Sequence, residues 1–175
     1  MADAPPCKNH LIHNYKFDEL VLGTGSNQQP YFRALIFFNK KPEHSEEFFH
    51  DHWKSVHADL TLSVQNTGIK LSRYVQFHQD AHHRSLVAPV LESGHMQLLP
   101  YDGCAEFHCK DADKFLQFLK DISDDRSLVG CGSRFCDMSK GMHIMVGYDN
   151  LIMGDKSSVS GGVDGIMPTD SRLAM

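Results

Sequence analysis

The 175-residue sequence lacks the signatures of several protein classes. Its net charge is -5, and it has no basic stripe interleaved with aromatic residues, which argues against a nucleic-acid partner. No apolar run approaches the about 20 residues that a membrane span requires. Residues 1–16 also lack the apolar core of a secretory signal. We therefore expect a soluble, cytoplasmic protein that binds neither nucleic acid nor membranes.

Linear motifs for cofactors and metals are absent as well. The sequence contains no GxSxG, dinucleotide fingerprint, P-loop or HExxH motif. Its five cysteines lack the spacing of a disulfide framework or a zinc ribbon, so they are interpreted as free, buried thiols. His82, His83 and His95 are conceivable metal ligands, but solvated surface histidines are the simpler interpretation. We expect no cofactor and no metal.

The strongest positive signal is an amphipathic helix within residues 31–79. Ser45 suits an N-cap, and a turn-forming run begins at Asn66, so the helix is predicted from about Glu46 to Asn66. Its buried stripe is predicted from residues spaced by three and four: Phe49, Trp53, Val56, Leu60 and Val64. His57 lies at the edge of this stripe and should face inward. The polar side should expose His44, His50 and His52.

Four strands and a second helix are predicted around it. The first strand, residues 31–39, is apolar on both faces, which indicates a strand covered on both sides. The second strand, residues 71–78, is predicted to place Leu71, Val75 and Phe77 on one face and polar residues on the other. Strands three and four are predicted at 104–109 and 142–148, with a helix from about Asp111 between them. The order β-α-β-β-α-β predicts a ferredoxin-like α+β fold.

The remaining segments are assigned by composition and length. Residues 1–30 are predicted to form an N-terminal arm, 31–154 the α+β domain and 155–175 a flexible tail rich in Ser, Gly and Asp. Residues 79–102 form an insertion with a short helix at about 81–88, of a length that is often a lid or binding loop. Residues 127–138, punctuated by Gly130 and Gly132, are predicted to be an irregular connection.

Parts of this pattern resemble the EthD family of small dimeric α+β barrel proteins. The resembling segments are the Ser-Glu-Glu-Phe helix start, residues 53–60 (WKSVHADL), residues 73–76 (RYVQ), and, as in fungal members, residues 135–137 (FCD) and 146–149 (VGYD). The resemblance covers roughly residues 31–153. It implies a homodimer in which two sheets pair face to face as a dimeric α+β barrel, and this pairing would cover the second apolar face of strand one.

Six polar side chains are candidates to point inward, and histidine suits proton transfer because its ordinary pKa is near 6.5. The predicted catalytic residues are His57, Tyr74, His78, Glu106 and His108. The predicted substrate-binding residues are Trp53, Gln76, Phe38, Tyr31 and His143. Structural roles stay open beside these: His57 as a satisfied histidine at the core edge, and Glu106 with His108 as an interior polar pair or a dimer contact.

The family resemblance also implies a reaction class. Fungal EthD-like proteins often act on aromatic polyketides as decarboxylases, dehydratases or cyclases without a cofactor. The resemblance therefore implies a cofactor-independent tailoring enzyme of secondary metabolism with a hydrophobic aromatic substrate. His57 would be the leading general acid or base, while the other polar residues orient a phenol or β-keto acid and stabilise an enolate. Two alternatives stay open: a cofactor-less or haem-dependent monooxygenase, and a non-catalytic binder of a reactive metabolite.

Overall fold

One four-stranded antiparallel sheet organises the computed structural model, which describes residues 13–21 and 27–174. Its strands are β1 (Phe32–Phe38), β2 (Leu71–His78), β3 (Gly103–Cys109) and β4 (His143–Gly147). The spatial order β2-β3-β1-β4 places the doubly apolar β1 next to β3 at the centre. With helices between β1 and β2 and between β3 and β4, this is the ferredoxin-like α+β arrangement, and it confirms the predicted fold class.

The helices connect the strands in the expected order. Between β1 and β2 lie α1 (Glu46–His52), a π-helical turn (Trp53–His57), α2 (Ala58–Ser63) and α3 (Thr67–Lys70). The insertion after β2 contains α4 (Ala81–Leu86) and α5 (Ala88–Leu91), while α6 (Ala112–Asp124) and α7 (Arg126–Phe135) separate β3 from β4. None of the helices in the described part of the chain has the length and apolar character to span a membrane.

The π-helical turn changes the buried face of the first long helix. Ser45 caps this helix by accepting a hydrogen bond from the Phe48 amide at 3.1 Å, as its position predicts. A π turn inserts one extra residue into the helical repeat, so the side chains after it are rotated around the helix. Val56, predicted to be buried, is 49% exposed, whereas Thr61 is buried. The inner row continues from Trp53 to His57 instead, and the helix ends at Ser63 rather than Asn66.

Helix α7 occupies most of the segment predicted to be an irregular connection. The Asp125 side chain caps it by accepting a hydrogen bond from the Leu128 amide at 2.9 Å. Leu128, Cys131 and Phe135 follow at spacings of three and four and are all buried. Each glycine costs about 1 kcal/mol relative to alanine in a helix, but burying one large apolar side chain contributes about 1.5–3 kcal/mol. The prediction was wrong because it gave the glycines more weight than the apolar spacing.

A β-bulge near the start of β2 produces a second difference. The pairing of β2 with β3 shifts register between Leu71 and Arg73. A bulge inserts one unpaired residue, so Leu71 lies in the core on the same side as Tyr74. The prediction that Leu71 shares a face with Val75 and Phe77 was therefore wrong. After the bulge, the expected alternation holds.

The two faces of the sheet have different cover. The inner face packs against the helices and forms one core with them: Ala34, Phe38, Phe49, Trp53, Ala105, Phe107, Cys109, Phe115, Phe118, Cys131 and Phe135. The outer face carries Arg33, Leu35, Phe37, Glu106 and His108, one residue out of step with the inner set along each strand.

The C-terminal segment contacts the outer face through Ser160, and it contacts the N-terminal segment through Arg172. The Ser160 hydroxyl lies 3.1 Å from His108 Nδ1 and 3.0 Å from the Ser72 hydroxyl, and Arg172 forms an ion pair with Glu19 at 2.7 Å. Residues 1–12 and 22–26 of the predicted N-terminal arm lie outside the described residues. The flexibility of residues 155–175 stays a prediction.

Candidate functional site

An apolar cavity of about 340 Å³ lies between the inner face of the sheet and the helices. Its aromatic walls are Phe38, Trp53, Tyr74, Phe107 and Phe135, and its polar lining comes from His57, Thr61, Ser123 and Ser133. The volume is within the range of small-molecule sites, and aromatic walls with a few polar groups suit a flat, mainly apolar ligand.

The π turn places His57 at the wall of this cavity. Its imidazole packs edge-on against Phe135, with ring centroids 4.9 Å apart. The Nδ1 atom is buried and has no hydrogen-bond partner among the described residues. Burial, reinforced by the neighbouring His52, lowers the pKa of His57 to about 4. The imidazole is therefore neutral at pH 7 and has a ring nitrogen that no described protein group occupies.

Tyr74 brings a hydroxyl group to the same cavity. Its ring stacks on Phe107 with centroids 4.9 Å apart, and its oxygen accepts a hydrogen bond from Gln76 Nε2 at 2.8 Å. Burial raises the pKa of Tyr74, and hydrogen bonds, first that from Gln76, offset only part of the rise. Tyr74 is consequently a neutral hydroxyl at physiological pH.

Two predicted site residues on β2 lie behind the cavity wall. His78 Nδ1 is 2.8 Å from His50 Nδ1, and His78 Nε2 is 3.2 Å from Gln76 Oε1. Burial, followed by the proximity of His50 and Lys54, lowers the pKa of His78 to about 4. His78 and Gln76 contact the site through their neighbours, since neither side chain lines the cavity.

His44, before the first helix, and His50 and His52 within it were predicted to be exposed and are half-buried instead. His44 Nε2 is 2.9 Å from the Arg134 carbonyl oxygen, and His52 Nε2 is 3.2 Å from Cys131 Sγ. Both contacts are with α7, a helix that the sequence analysis did not predict. Without α7, the corresponding face of α1 would be solvated.

Glu106, His108 and Tyr31 lie on the outer face, on the far side of the sheet from His57. Arg33 forms ion pairs with Glu106 at 2.6 Å and with Asp149 at 2.7 Å. His108 Nε2 is 2.9 Å from Glu106, and the ring of Tyr31 stacks on His108 at 4.2 Å. We call these five residues the outer cluster.

The electrostatics of the outer cluster follow from its internal hydrogen bonds. Burial and the hydrogen bond to Asp149 raise the pKa of Tyr31 to about 12. Burial by itself would raise the pKa of Asp149, but the hydrogen bonds from Arg33 and Tyr31 lower it on balance. Every ionisable group of the outer cluster thus has a partner inside the cluster.

The structure therefore divides the predicted site residues into groups. His57, Tyr74, Trp53 and Phe38 line the cavity, while His78 and Gln76 lie behind it. Glu106, His108 and Tyr31 belong to the outer cluster. His143 is exposed on β4 beside Tyr101, with ring centroids 5.4 Å apart.

Sequence reasoning missed several residues that line the cavity. Thr61 reaches it because of the π turn, for which the sequence carries no clear signal. Ser133 and Leu128 reach it on α7. The apolar spacing of 128, 131 and 135 is a signal that could have revealed this helix.

Few of the described residues are candidates for binding a metal or for thiol chemistry. Within residues 13–21 and 27–174, no three or more His, Cys, Asp or Glu side chains are arranged to hold a metal ion. Cys104, Cys109, Cys131 and Cys136 are buried and free, as predicted. Burial raises the pKa of Cys136, which lines the cavity, to about 12, so it stays a thiol.

Comparison with known proteins gives consistent matches. The EthD domain family model matches residues 41–137, more than half of the chain. The dehydratase CTB10 of Cercospora beticola is 30% identical over 107 residues, which cover 60% of this chain and 80% of that protein. The decarboxylase claH of Passalora fulva is 24% identical over 139 residues, covering 79% and 88%. A solved EthD family protein of Bacillus halodurans is 14% identical with a TM-score of 0.45, covering 68% of this chain and 98% of that one.

Proposed function

Because the chain belongs to the EthD domain family, we propose that it is a lyase that removes carbon dioxide or water from an aromatic polyketide or a related secondary metabolite. The names of its two relatives, a decarboxylase and a dehydratase, support this class of reaction. The observation that carries the proposal is the neutral imidazole of His57, whose Nδ1 has no described partner, at the wall of an aromatic cavity that also holds the Tyr74 hydroxyl.

In the proposed decarboxylation, His57 accepts the carboxyl proton of a β-keto acid. The electron pair of the breaking carbon–carbon bond moves toward the ketone oxygen as carbon dioxide leaves, and the Tyr74 hydroxyl stabilises the resulting enolate. The imidazolium then returns its proton to carbon, so His57 ends neutral. Because burial makes the imidazolium more acidic than that of an ordinary histidine, this return is favourable. The substrate ketone takes up the electron pair, so the reaction requires no cofactor.

A proposed dehydration uses the same two residues in another order. His57 removes a proton from the carbon beside a carbonyl group, and Tyr74 stabilises the enolate oxygen. The enolate then expels a β-hydroxyl group, which takes the proton from the imidazolium and leaves as water. Ring closure through the same enolate is the cyclase variant of this chemistry.

The proposal is tested by incubating the purified protein with aromatic β-keto acids and β-hydroxy ketones and following product mass. Loss of carbon dioxide or water supports it and identifies the reaction. Two glycines of α7 supply a matched pair of variants. A Cβ at Gly132 would lie 3.8 Å from His57 Cε1, whereas a Cβ at Gly130 meets nothing within 4 Å. Gly132→Leu should therefore fill the cavity and stop turnover, while Gly130→Leu should not.

Further measurements on the same purified protein separate the alternatives. A Soret band in the absorption spectrum, or oxygen consumption on an electrode, would favour a monooxygenase. If a Soret band were seen, His57 would be the candidate residue to hold the haem iron, since its imidazole lines the cavity. Recovery of every tested ligand unchanged but bound would favour a binding protein.

A second copy of the chain is the proposed cover for the outer face. Phe77 and Met145 are 67% and 61% exposed there, which is unusual for large apolar side chains on a sheet. Two such faces packed around a two-fold axis would form the dimeric barrel that the family resemblance implies. Light scattering should give twice the chain mass, and Phe77→Glu should shift the protein toward monomer.

A further inference from the structure

A chain of side-chain hydrogen bonds runs along β2 behind the cavity. It begins at His50 Nδ1, 2.8 Å from His78 Nδ1, and continues from His78 Nε2 to Gln76 Oε1 at 3.2 Å. Gln76 Nε2 then donates to the Tyr74 hydroxyl oxygen at 2.8 Å. The chain thus connects a half-buried pair of histidines to a hydroxyl group that lines the cavity.

The direction of every bond in this chain follows from one backbone group. Gln76 Nε2 lies 3.0 Å from the carbonyl oxygen of Trp53, which can only accept a hydrogen bond. The amide nitrogen of Gln76 must therefore face Trp53, and its second hydrogen points to Tyr74. The amide oxygen is left facing His78 Nε2, which must carry a hydrogen to donate to it.

The donor and acceptor roles of His78 and His50 follow the same direction along the chain of hydrogen bonds. With a hydrogen on Nε2, neutral His78 has a bare Nδ1 that accepts from His50 Nδ1. Neutral His50 then has a bare Nε2, and this atom is buried without a described partner. An unpaired lone pair is tolerated better there than an unpaired N–H. Burial lowers the pKa of both rings, which agrees with two neutral imidazoles.

These bond directions determine where the hydroxyl hydrogen of Tyr74 can point. Its oxygen already accepts from Gln76, so its own hydrogen cannot point toward Gln76. The neighbouring Thr61 hydroxyl, on a residue that also lines the cavity, donates its hydrogen to the His57 carbonyl oxygen at 2.7 Å, so toward Tyr74 it can accept a hydrogen but not donate one. We propose that Gln76, His78 and His50 are positioning residues that hold Tyr74 as a hydrogen-bond donor toward the cavity, so that the site selects flat ligands carrying a ketone or enolate oxygen. This inference deepens the proposed function and rests on the same cavity.

Ligand binding tests the inference without any turnover. The chain has a single tryptophan, and Trp53 lines the cavity, so its fluorescence reports occupancy. The probes are 1-tetralone and tetralin, which have nearly the same shape but differ in one ketone oxygen. Wild type should bind the ketone about fivefold more tightly, the size expected for one hydrogen bond.

Variants then test whether the chain of hydrogen bonds from His50 to Tyr74 causes the preference for the ketone. Tyr74→Phe should abolish the preference for the ketone. Gln76→Glu should abolish it too, because a carboxylate accepts the hydrogen that Tyr74 otherwise offers to the ligand, and Gln76→Met, which cannot direct Tyr74, should reduce it. His50→Asn retains an N–H near the Nδ1 position and should preserve the preference, whereas His50→Leu should weaken it.

Circular dichroism and thermal melting establish which variants are folded before binding is compared. A folded Gln76→Glu or Tyr74→Phe protein that keeps the full preference for 1-tetralone would overturn the inference, as would equal binding of both probes by wild type. A double-mutant cycle gives a further check, since Gln76→Glu should have no effect in the Tyr74→Phe background. Loss of the proposed lyase reaction with an intact ketone preference would count against the proposed function alone.

Discussion

The two sides of the sheet each have a histidine, and the two histidines differ in their hydrogen bonding. His57 on the inner side has a buried Nδ1 without a described partner, whereas His108 on the outer side has Glu106 on one ring nitrogen and Ser160 on the other. Burial is the main cause that lowers the pKa of both residues. Hydrogen bonding therefore distinguishes them better than residue type or burial. The fully paired histidine fits a structural role, whereas His57 lines the cavity and has an unpaired ring nitrogen.

The largest expected effect separates these two histidines by turnover. His57→Ala should lower the rate of carbon dioxide or water loss by about 10²–10⁴-fold, the usual contribution of a positioned acid or base. His108→Ala should stay within a few fold of wild type at a temperature where both variants are folded. Equal losses in the two variants would contradict this contrast, and a larger loss in His108→Ala would favour a site on the outer face.

A pH profile sharpens the same contrast. For a dehydration substrate without an acidic group, a base with a pKa of about 4 stays neutral well below the ordinary histidine value, so kcat/KM for water loss should be flat from pH 8 to about pH 5 and fall only near pH 4. An acid limb centred near 6.5 would contradict the assignment of His57. The same shift affects folding: the unfolded chain takes up a proton between about pH 6.5 and 4 that the folded chain refuses. The free energy of unfolding should therefore decrease as the pH is lowered from about 6.5 to 4, and this proton should have no effect above that window.

Stability, rather than turnover, should respond on the outer side. Arg33→Met leaves the half-buried carboxylates of Glu106 and Asp149 without their shared cation and should lower the free energy of unfolding by about 2 kcal/mol. Arg33→Lys keeps the charge but not the two-pronged geometry, so it should lose less. Urea denaturation measures both. Unchanged stability in Arg33→Met would mean that the outer cluster contributes nothing to folding.

The smallest expected effect concerns the tail. Ser160→Ala removes the hydroxyl that contacts His108 and Ser72, which should lower the free energy of unfolding by about 1 kcal/mol or less. Turnover should not change. A larger loss of stability would indicate that the tail holds the outer cluster together.

The fold was readily predictable because its local signals agree with one another. The Ser45 cap, the helix from Asp111 and the alternation of the strands each specify one element, and their order specifies the topology. The division of the site was also available in the sequence: Ala105, Phe107 and Cys109 are the apolar set of β3, so Glu106 and His108 had to face away from the helices. The π turn could not be predicted from the sequence, since it depends on tertiary packing around Trp53 and His57.

The π turn has a consequence for how easily this site can be gained or lost. An α-helix rotates about 100° per residue, so if residues 53–57 formed an ordinary α-helical turn without losing a residue, everything after them would turn by about that angle. Val56 would then lie at the cavity wall in place of His57, although the sequence is unchanged. Whether the cavity contains a base at all thus depends on a single backbone insertion.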